Sequence, residues 1–558
     1  MAGRAESGGG ARGRAVTLSR PAAGLRCDFR DLPVKQIFRC SRPHSPAGFR
    51  LRVPSRGHHG GCIMTTETLA DLVAAEDVLL FVNAAVTATG QREFHSGAYR
   101  QQLSLDFLHE YVRVNYRRVY AASLALDIND HNAARIVRGL LEYAGEATVQ
   151  EKRTEGRLIA ARLAKLPPQR VYRLFRELRA AGVNNRRTRA IMRDWVAARP
   201  DPAHDAVKYR AGLKNAARHA HLPLGERDHE RGSGSGGELG DFLFRPGRLP
   251  RYRNQLLDAW RRAHYEQGAV GELPFTVAEG FAARHGMKRE AFLERMVPRM
   301  TRLERLRTLG QRGTAAAPEL PTDVDLTVMP LTRLALYVLS FRPELRGRHR
   351  EVLTSALRAA ARRAAGPHAG SWGRVAAVLD DSYSSSGSGE KRRRPLAVAL
   401  ACAFLLEELA APGAYTPLWT TGAADPLLVV PRGPTPLGSR ILDALECGPD
   451  RLVIVSDGWD NAPAGLAGEV LRVWRTRIDP DRRTSVVHVN PVYDAAGFDV
   501  RRLAPSVPTA GIRDAEDLPA LVEIAQFSEG RTGPAALHAY LDRQVARFVT
   551  AGQEGDPL

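Results

Sequence analysis

Val378-Leu379-Asp380-Asp381-Ser382-Tyr383-Ser384 decides the fold of the C-terminal part of the chain. An apolar strand that stops at D-x-S-x-S presents Asp380, Ser382 and Ser384 from one loop. Three hard oxygen donors that close together suit Mg²⁺ or another divalent cation such as Mn²⁺. Two more ligands are then expected downstream. Gly433-Pro434-Thr435-Pro436-Leu437-Gly438 opens an apolar helical pattern, and Arg451 to Ser456 is a second apolar strand that runs into Asp457-Gly458. The candidate metal ligands are therefore Asp380, Ser382, Ser384, Thr435 and Asp457. Ser and Asp crowd ordinary turns as well, so the signal lies in the order of the three parts and their placement at strand ends and before a helix.

Outward from this stretch, strand and helix patterns alternate: Arg374 to Leu379, Pro395 to Leu409, Thr416 to Thr421, Leu437 to Leu445, Arg451 to Ser456, Ala464 to Trp474, Ser485 to Asn490. That alternation predicts a doubly wound, Rossmann-like α/β domain over residues 371–552, with ligands at the carboxyl ends of its parallel strands. The D-x-S-x-S loop, the Thr before a helix and the strand-Ser-Asp-Gly, in that order, resemble the metal-ion-dependent adhesion site of von Willebrand factor A domains. Tyr383 stands where the family usually has a small residue, and Asp381 adds a carboxylate that bears on access or affinity. Such a donor set leaves coordination positions to water, so an acidic side chain of a partner protein can complete it. Hydrolysis needs a general base or a second metal as well. Neither is visible in these motifs, and the sequence shows no phosphate-binding Gly loop with its Lys and no nucleophile in a recognisable setting. The expected role is docking, not catalysis.

Residues 64–367 read as helical. Leu103 to Tyr120, Ala133 to Tyr143, Arg157 to Leu163, Val171 to Ala181, Arg187 to Ala197 and Leu331 to Leu345 carry apolar residues at i, i+3, i+4 spacing, with stops at Pro167-Pro168, Gly182 to Asn185 and Pro200. Short helices joined by short turns fit stacked helical pairs, and an irregular bundle fits them too. Gly232 to Gly240 and Gly310 to Asp325 read as extended surface connections. Tyr172, Phe175 and Trp195 recur at helical spacing and read as core. His219 and His221 are two apart and point to different helix faces, a poor metal pair.

The 558 residues exceed what one hydrophobic core serves. No apolar run reaches the roughly 18 residues that span a bilayer, and the expectation is a cytoplasmic monomer. The formal charge of +20 suggests an anionic partner. Residues 1–63 hold twelve basic and three acidic residues, so nearly half the excess lies there; chain-wide, seven basic residues are Lys and 74 are Arg, an Arg bias that GC-rich coding also produces. This first stretch is Gly-, Arg-, Ser- and Pro-rich and predicts no compact fold. An amphipathic pattern begins after Met64, so residues 1–63 read either as upstream translation or as a genuine basic tail or targeting segment. Cys402 and Cys447 lie in the part expected to fold, without metal-ligand spacing.

A helical basic domain followed by an adhesion-type domain resembles the Ro-like proteins, in which a TROVE domain of HEAT-like helical repeats forms a ring closed by a von Willebrand factor A domain. Val207-Lys208-Tyr209-Arg210-Ala211-Gly212-Leu213-Lys214 with His219 and His221, and His285-Gly286-Met287-Lys288-Arg289-Glu290 leading to Met300 and Arg305 to Gly310, are similar to two stretches of that family, and the resemblance spans residues 64 to 550. The aromatic residue and serine that usually follow the first stretch are absent, and Thr308 stands where asparagine is expected. The resemblance implies binding of small noncoding or misfolded RNA in a ribonucleoprotein. Arg210, Lys214 and Arg218 fall on one helical stripe with Lys208 and His221 nearby, and Arg186 and Arg187, with Arg189 and Arg193, cluster at a helix start. Solvated helix faces in an Arg-biased chain give the same pattern. In that reading the helical half is a protein-binding scaffold without RNA. Lys391 to Arg394 reads as a solvated loop before a Pro at a helix start.

Overall fold

Helices take up the chain from Leu69 onward because caps and prolines punctuate an apolar 3.6-residue period. The structure, a computed structural model, describes residues 69–224, 236–301, 304–305, 308, 325–521 and 534–553. These fall within one compact unit that begins at His59. The helices of the N-terminal part are α1 (Leu69–Thr87), α2 (Ala98–Asn115), α3 (Arg117–Ala122), α4 (Asp130–Glu142), α5 (Val149–Lys165), α6 (Pro168–Ala180), α7 (Arg186–Ala197), α8 (Pro202–Lys208), α9 (Arg210–Ala220), α10 (Gly236–Phe244), α11 (Gln255–Arg262), α12 (Phe275–Arg284), α13 (Arg289–Met296), α14 (Leu331–Ser340), α15 (Pro343–Arg348) and α16 (Arg350–Ala365).

Asn129 caps α4 by accepting from the amide of Asn132, Thr148 and Glu151 form a capping box on α5, and Asn185 caps α7. Pro168 occupies the first turn of α6, so Pro167-Pro168 both ends one helix and starts the next. On α4, Ala133, Ile136, Val137, Leu140 and Leu141 are buried on one stripe. Trp195 stands edge-on to Tyr172 and Phe175 at centroid distances of 5.1 and 5.5 Å, which makes this trio core as its spacing suggests. Burying one such ring contributes about 1.5–3 kcal/mol.

The C-terminal part alternates β1 (Val375–Leu379), α17 (Arg394–Leu409), β2 (Tyr415–Trp419), α18 (Leu437–Glu446), β3 (Arg451–Val455), α19 (Leu466–Val473) and β4 (Ser485–Asn490). A short hairpin, β5 (Tyr493–Asp494) with β6 (Asp499–Val500), precedes β7 (Thr509–Gly511). The five-stranded sheet has the order β2-β1-β3-β4-β7, parallel throughout. The chain leaves β1 toward β2 and returns on its other side to β3, so the strand order reverses at the β1/β3 gap, where doubly wound sheets bind ligands. Ala376, Val378, Leu452 and Ile454 pack with Leu437, Ile441 and Leu471 of α18 and α19. Alternation along the strand turns Ala377 and Leu379 to the opposite face, where α17 lies. Helix α17 is buried nearly all round because α14 and α16 cover it in turn.

Four expectations change. Leu103 to Tyr120 is interrupted at Tyr116, which caps α2 and starts α3, and Leu331 to Leu345 breaks before Pro343. Gly236 to Gly240 is helical in α10 despite its glycines, because Phe242 and Leu243 anchor that helix in the core. Lys391 to Arg394 is not a solvated loop: Lys391 pairs with buried Glu93, Arg393 donates to the Leu339 carbonyl, and Arg394 donates to Asp514. A basic run shows no partners in sequence, and here they lie up to about three hundred residues away. Residues 1–63, 232–235 and 310–324, and most of Arg305 to Gly310, lie outside the described residues. Among the described residues no helix is long and apolar enough to cross a membrane.

The halves are fastened elsewhere too. The last helix, α20 (Pro534–Gln553), packs back on α1, α3 and α5, and α1 covers the β7 edge. There the Asn83 side chain donates to Asp499 Oδ1 at 3.0 Å and accepts from the Gly511 amide at 2.9 Å. Asn83→Ala leaves the buried Gly511 amide without its acceptor and removes one bond to Asp499, which keeps the Val500 amide and Arg502. We expect a loss of about 1–3 kcal/mol in urea unfolding of the full chain; a loss below about 0.5 kcal/mol contradicts this role for the contact.

Candidate metal centre and basic surface

Three loops meet at the β1/β3 gap. The first leaves β1: the Asp380 amide donates to Val455 O of β3 at 3.0 Å, Asp380 Oδ1 accepts from the Ser382 amide at 2.9 Å, and the Ser382 and Ser384 hydroxyls stand 3.2 Å apart. The second carries Thr435. It is tied to the first by the Tyr383 amide donating to Gly433 O and the Arg432 amide donating to Asp381 O, both at 3.0 Å. The third leaves β3 through Asp457. Gly458, at φ +78°, makes the turn that lets the Trp459 amide reach Asp457 Oδ1 at 3.0 Å; a Cβ there would lie 2.8 Å from Arg501 O. Asn461 closes the triangle, accepting from the Thr435 amide at 2.7 Å while its own amide donates to Thr435 O at 3.3 Å.

Asp380, Ser382, Ser384, Thr435 and Asp457 are all buried. A crevice too tight to admit a water molecule runs between Asp380 and Asp457, lined also by Ser385, Ser456 and Pro395. Asp381 does not join the cluster. Its carboxylate accepts from the Thr420 hydroxyl and from the Thr421 amide and hydroxyl on the far side of the loop. Tyr383 is 64% exposed at the rim.

Burial raises the Asp380 carboxyl to about 7, with the Asp457 carboxylate as the next cause, against hydrogen bonds from Ser382 that lower it. Among the described residues neither Asp380 nor Asp457 pairs with an Arg or Lys; the one cationic-type neighbour is His95, whose Nε2 lies 3.4 Å from Asp457 Oδ2. Two buried carboxylates that repel each other, beside paired hydroxyls, are a donor set that fits a hard divalent cation. Among the described residues no group of three His, Cys, Asp or Glu is arranged to hold an ion, so the fit rests on hydroxyls completing two carboxylates. Sequence reasoning missed His95, Trp459, Thr420 and Asn461. Nothing in the chain marks His95, since it reaches Asp457 across 362 residues.

The basic candidates divide by what they touch. Arg186 and Arg218 are exposed, and His221, exposed at φ +53°, ends α9. Lys214 and Arg218 lie over the Phe244 ring at 5.7 and 5.4 Å. Half-buried Lys208 reaches the Tyr209 ring at 5.8 Å. Arg210 fastens α9 to α10: its Nη2 donates to Phe242 O at 2.9 Å, and the guanidinium stacks on Phe242 and Trp260. Arg187 pairs with buried Glu155 at 3.2 Å and donates to Lys152 O. His219 is buried against Val183 O, away from His221.

No family model matches the chain, and no curated protein matches it. Among solved structures it is similar to the crystal structure of the Deinococcus radiodurans Ro (RSR) protein, at 16% identity and a TM-score of 0.47, over 82% of this chain and 100% of that chain. A likeness at that level carries no argument about function.

An acid held above its ordinary value keeps its proton more tightly folded than unfolded. The ion-free protein therefore loses stability as pH rises from the ordinary Asp value through about 7. Asp380→Asn removes that ionisation. In chelator, melting curves should show the variant more stable than the parent at pH 8, with the gap narrowing by pH 5. A gap that does not change with pH contradicts the raised Asp380 carboxyl.

Proposed function

We propose that this protein is a Ro-like, RNA-binding protein whose C-terminal von Willebrand factor A-type domain carries a divalent-cation docking site, with Mg²⁺ or Mn²⁺ as the ion. The observation that carries the docking site is the convergence of Asp380 and Asp457 at the sheet's switch point with no Arg or Lys paired to either among the described residues. Asp380, Asp457, Ser382, Ser384 and Thr435 are the groups that hold the ion. The bound ion supplies a Lewis-acidic position that an anionic group can occupy. The chain's own part is to fix these oxygens through the bonds among three loops and to exclude bulk water from the crevice. The role is capture of an acidic partner, not turnover.

The RNA half of the proposal rests on the sequence resemblance and on basic side chains exposed or half-exposed on consecutive helices: Arg186 on α7, Lys208 on α8, and Lys214, Arg218 and His221 on and after α9. Phosphates meet such a row through charge and counterion release. Stacked helical repeats, on this reading, hold small noncoding or misfolded RNA. A second reading is favoured by one observation. Arg210 and Arg187 are engaged within the fold, as expected of a protein-binding scaffold whose charge is compositional.

Two experiments test the halves separately. Six or more phosphate contacts should lower RNA affinity about a thousandfold or more between 50 and 200 mM salt. Combined reversal of Arg186, Lys208 and Arg218 to Glu should weaken binding at least about tenfold and flatten that slope. Retention unaltered by reversal removes RNA and leaves the scaffold. At the metal site, Asp457→Ala should abolish Mg²⁺-dependent capture of an acidic peptide while the circular dichroism spectrum stays unchanged. Capture that persists, or that never depended on Mg²⁺, rejects the docking site.

A further inference from the structure

The segment between α1 and α2, residues 88–97, crosses the mouth of the metal centre. Its base is fastened to the chain that follows the first metal loop. The Ser388 hydroxyl donates to Arg92 O at 2.6 Å, the Arg92 amide donates to Glu390 Oε2 at 3.0 Å, and Lys391 pairs with Glu93, which is 2% exposed. The Glu93 amide donates to Ser96 O at 3.0 Å and closes a narrow loop with Phe94 and His95 at its tip. That tip rests on the first and third loops. Phe94 stands edge-on to Tyr383 at 5.8 Å, and His95 stacks on Trp459 at 4.5 Å and 30° while its Nε2 lies 3.4 Å from Asp457 Oδ2. Arg501 backs the other face of Trp459, with its guanidinium 3.9 Å from the ring centroid, and holds the platform in place.

Asp457 Oδ1 accepts from the Trp459 amide, and Oδ2, the oxygen without a backbone donor, is where His95 sits. An imidazole N–H aimed at that oxygen opposes a divalent cation beside it. On ion binding the ring either leaves or turns a lone pair inward as a ligand. His95 does not form with Asp380 and Asp457 a three-membered group arranged to hold an ion, which favours leaving. Resting on the docking-site reading above, we propose that residues 88–97 are a strap that closes the metal centre when it is ion-free. Ion loading displaces its tip, Phe94 to Ser96, and so opens the coordination face to a partner's carboxylate. The strap belongs to the helical part and the ligands to the α/β part, so occupancy of the site and the state of this helical connection are coupled reciprocally.

The test uses the full chain with Mn²⁺ alone as probe. By calorimetry His95→Ala should bind Mn²⁺ about fivefold or more tighter than the parent, because the competitor is gone. In the parent, Mn²⁺ should speed amide hydrogen exchange at residues 94–96 and leave residues 388–391 protected, a change that a merely structural His95 does not produce. Equal or weaker binding by His95→Ala, or slower exchange at the tip with Mn²⁺, overturns the strap; weaker binding makes His95 a ligand instead. Asp380→Ala separates this from the underlying reading. If it leaves Mn²⁺ binding intact, the ion lies elsewhere, and the docking site falls and the strap with it.

Discussion

Two carboxylates of like charge are buried beside each other at the carboxyl ends of β1 and β3. Burial first, and the neighbouring carboxylate second, with no Arg or Lys paired to either among the described residues, make a site that costs stability when empty. The surroundings follow from that constraint. Backbone bonds lock three loops at fixed spacing, Gly458 permits the turn that aims Asp457, and Asn461 carries the Thr435 loop into place. A charge arrangement that opposes folding persists where something other than folding requires it.

The same logic explains how the arginine excess is distributed. A chain with 74 Arg invites a purely electrostatic reading, yet many of these side chains work inside the fold. Arg393 fastens α17 to Leu339 of the helical part, Arg394 ties the start of α17 to Asp514, Arg210 joins α9 to α10, and Arg346 donates to the Leu427 and Val429 carbonyls. Guanidinium suits this role because it stays charged, stacks on rings and presents several donors at once. What remains at the surface on α7, α8 and α9 is a smaller and more specific set than composition implies.

Legibility in the sequence follows the range of the interaction. The β/α alternation after Gly370 is local, and the strands at Val375, Tyr415, Arg451 and Ser485 lie within a residue of their expected starts. The oxygen donors were legible because each sits at a fixed offset from a strand or helix end. The β5–β6 hairpin and the three-residue β7 are too short for periodicity to reveal. The roles of His95, Lys391 and Asn83 were hidden because each depends on a partner roughly three hundred residues or more away. The Gly236 segment misled for the opposite reason: its glycines argue for a loop, but two buried side chains hold it as a helix.

The most direct test is anomalous scattering from crystals grown with Mn²⁺. One peak within coordination distance of the Asp380 carboxylate and the Ser382 and Ser384 hydroxyls, on the Asp457 side of the crevice, is the expected result. No peak there, or manganese held only at other positions, would contradict the claim that these two buried carboxylates exist to hold an ion.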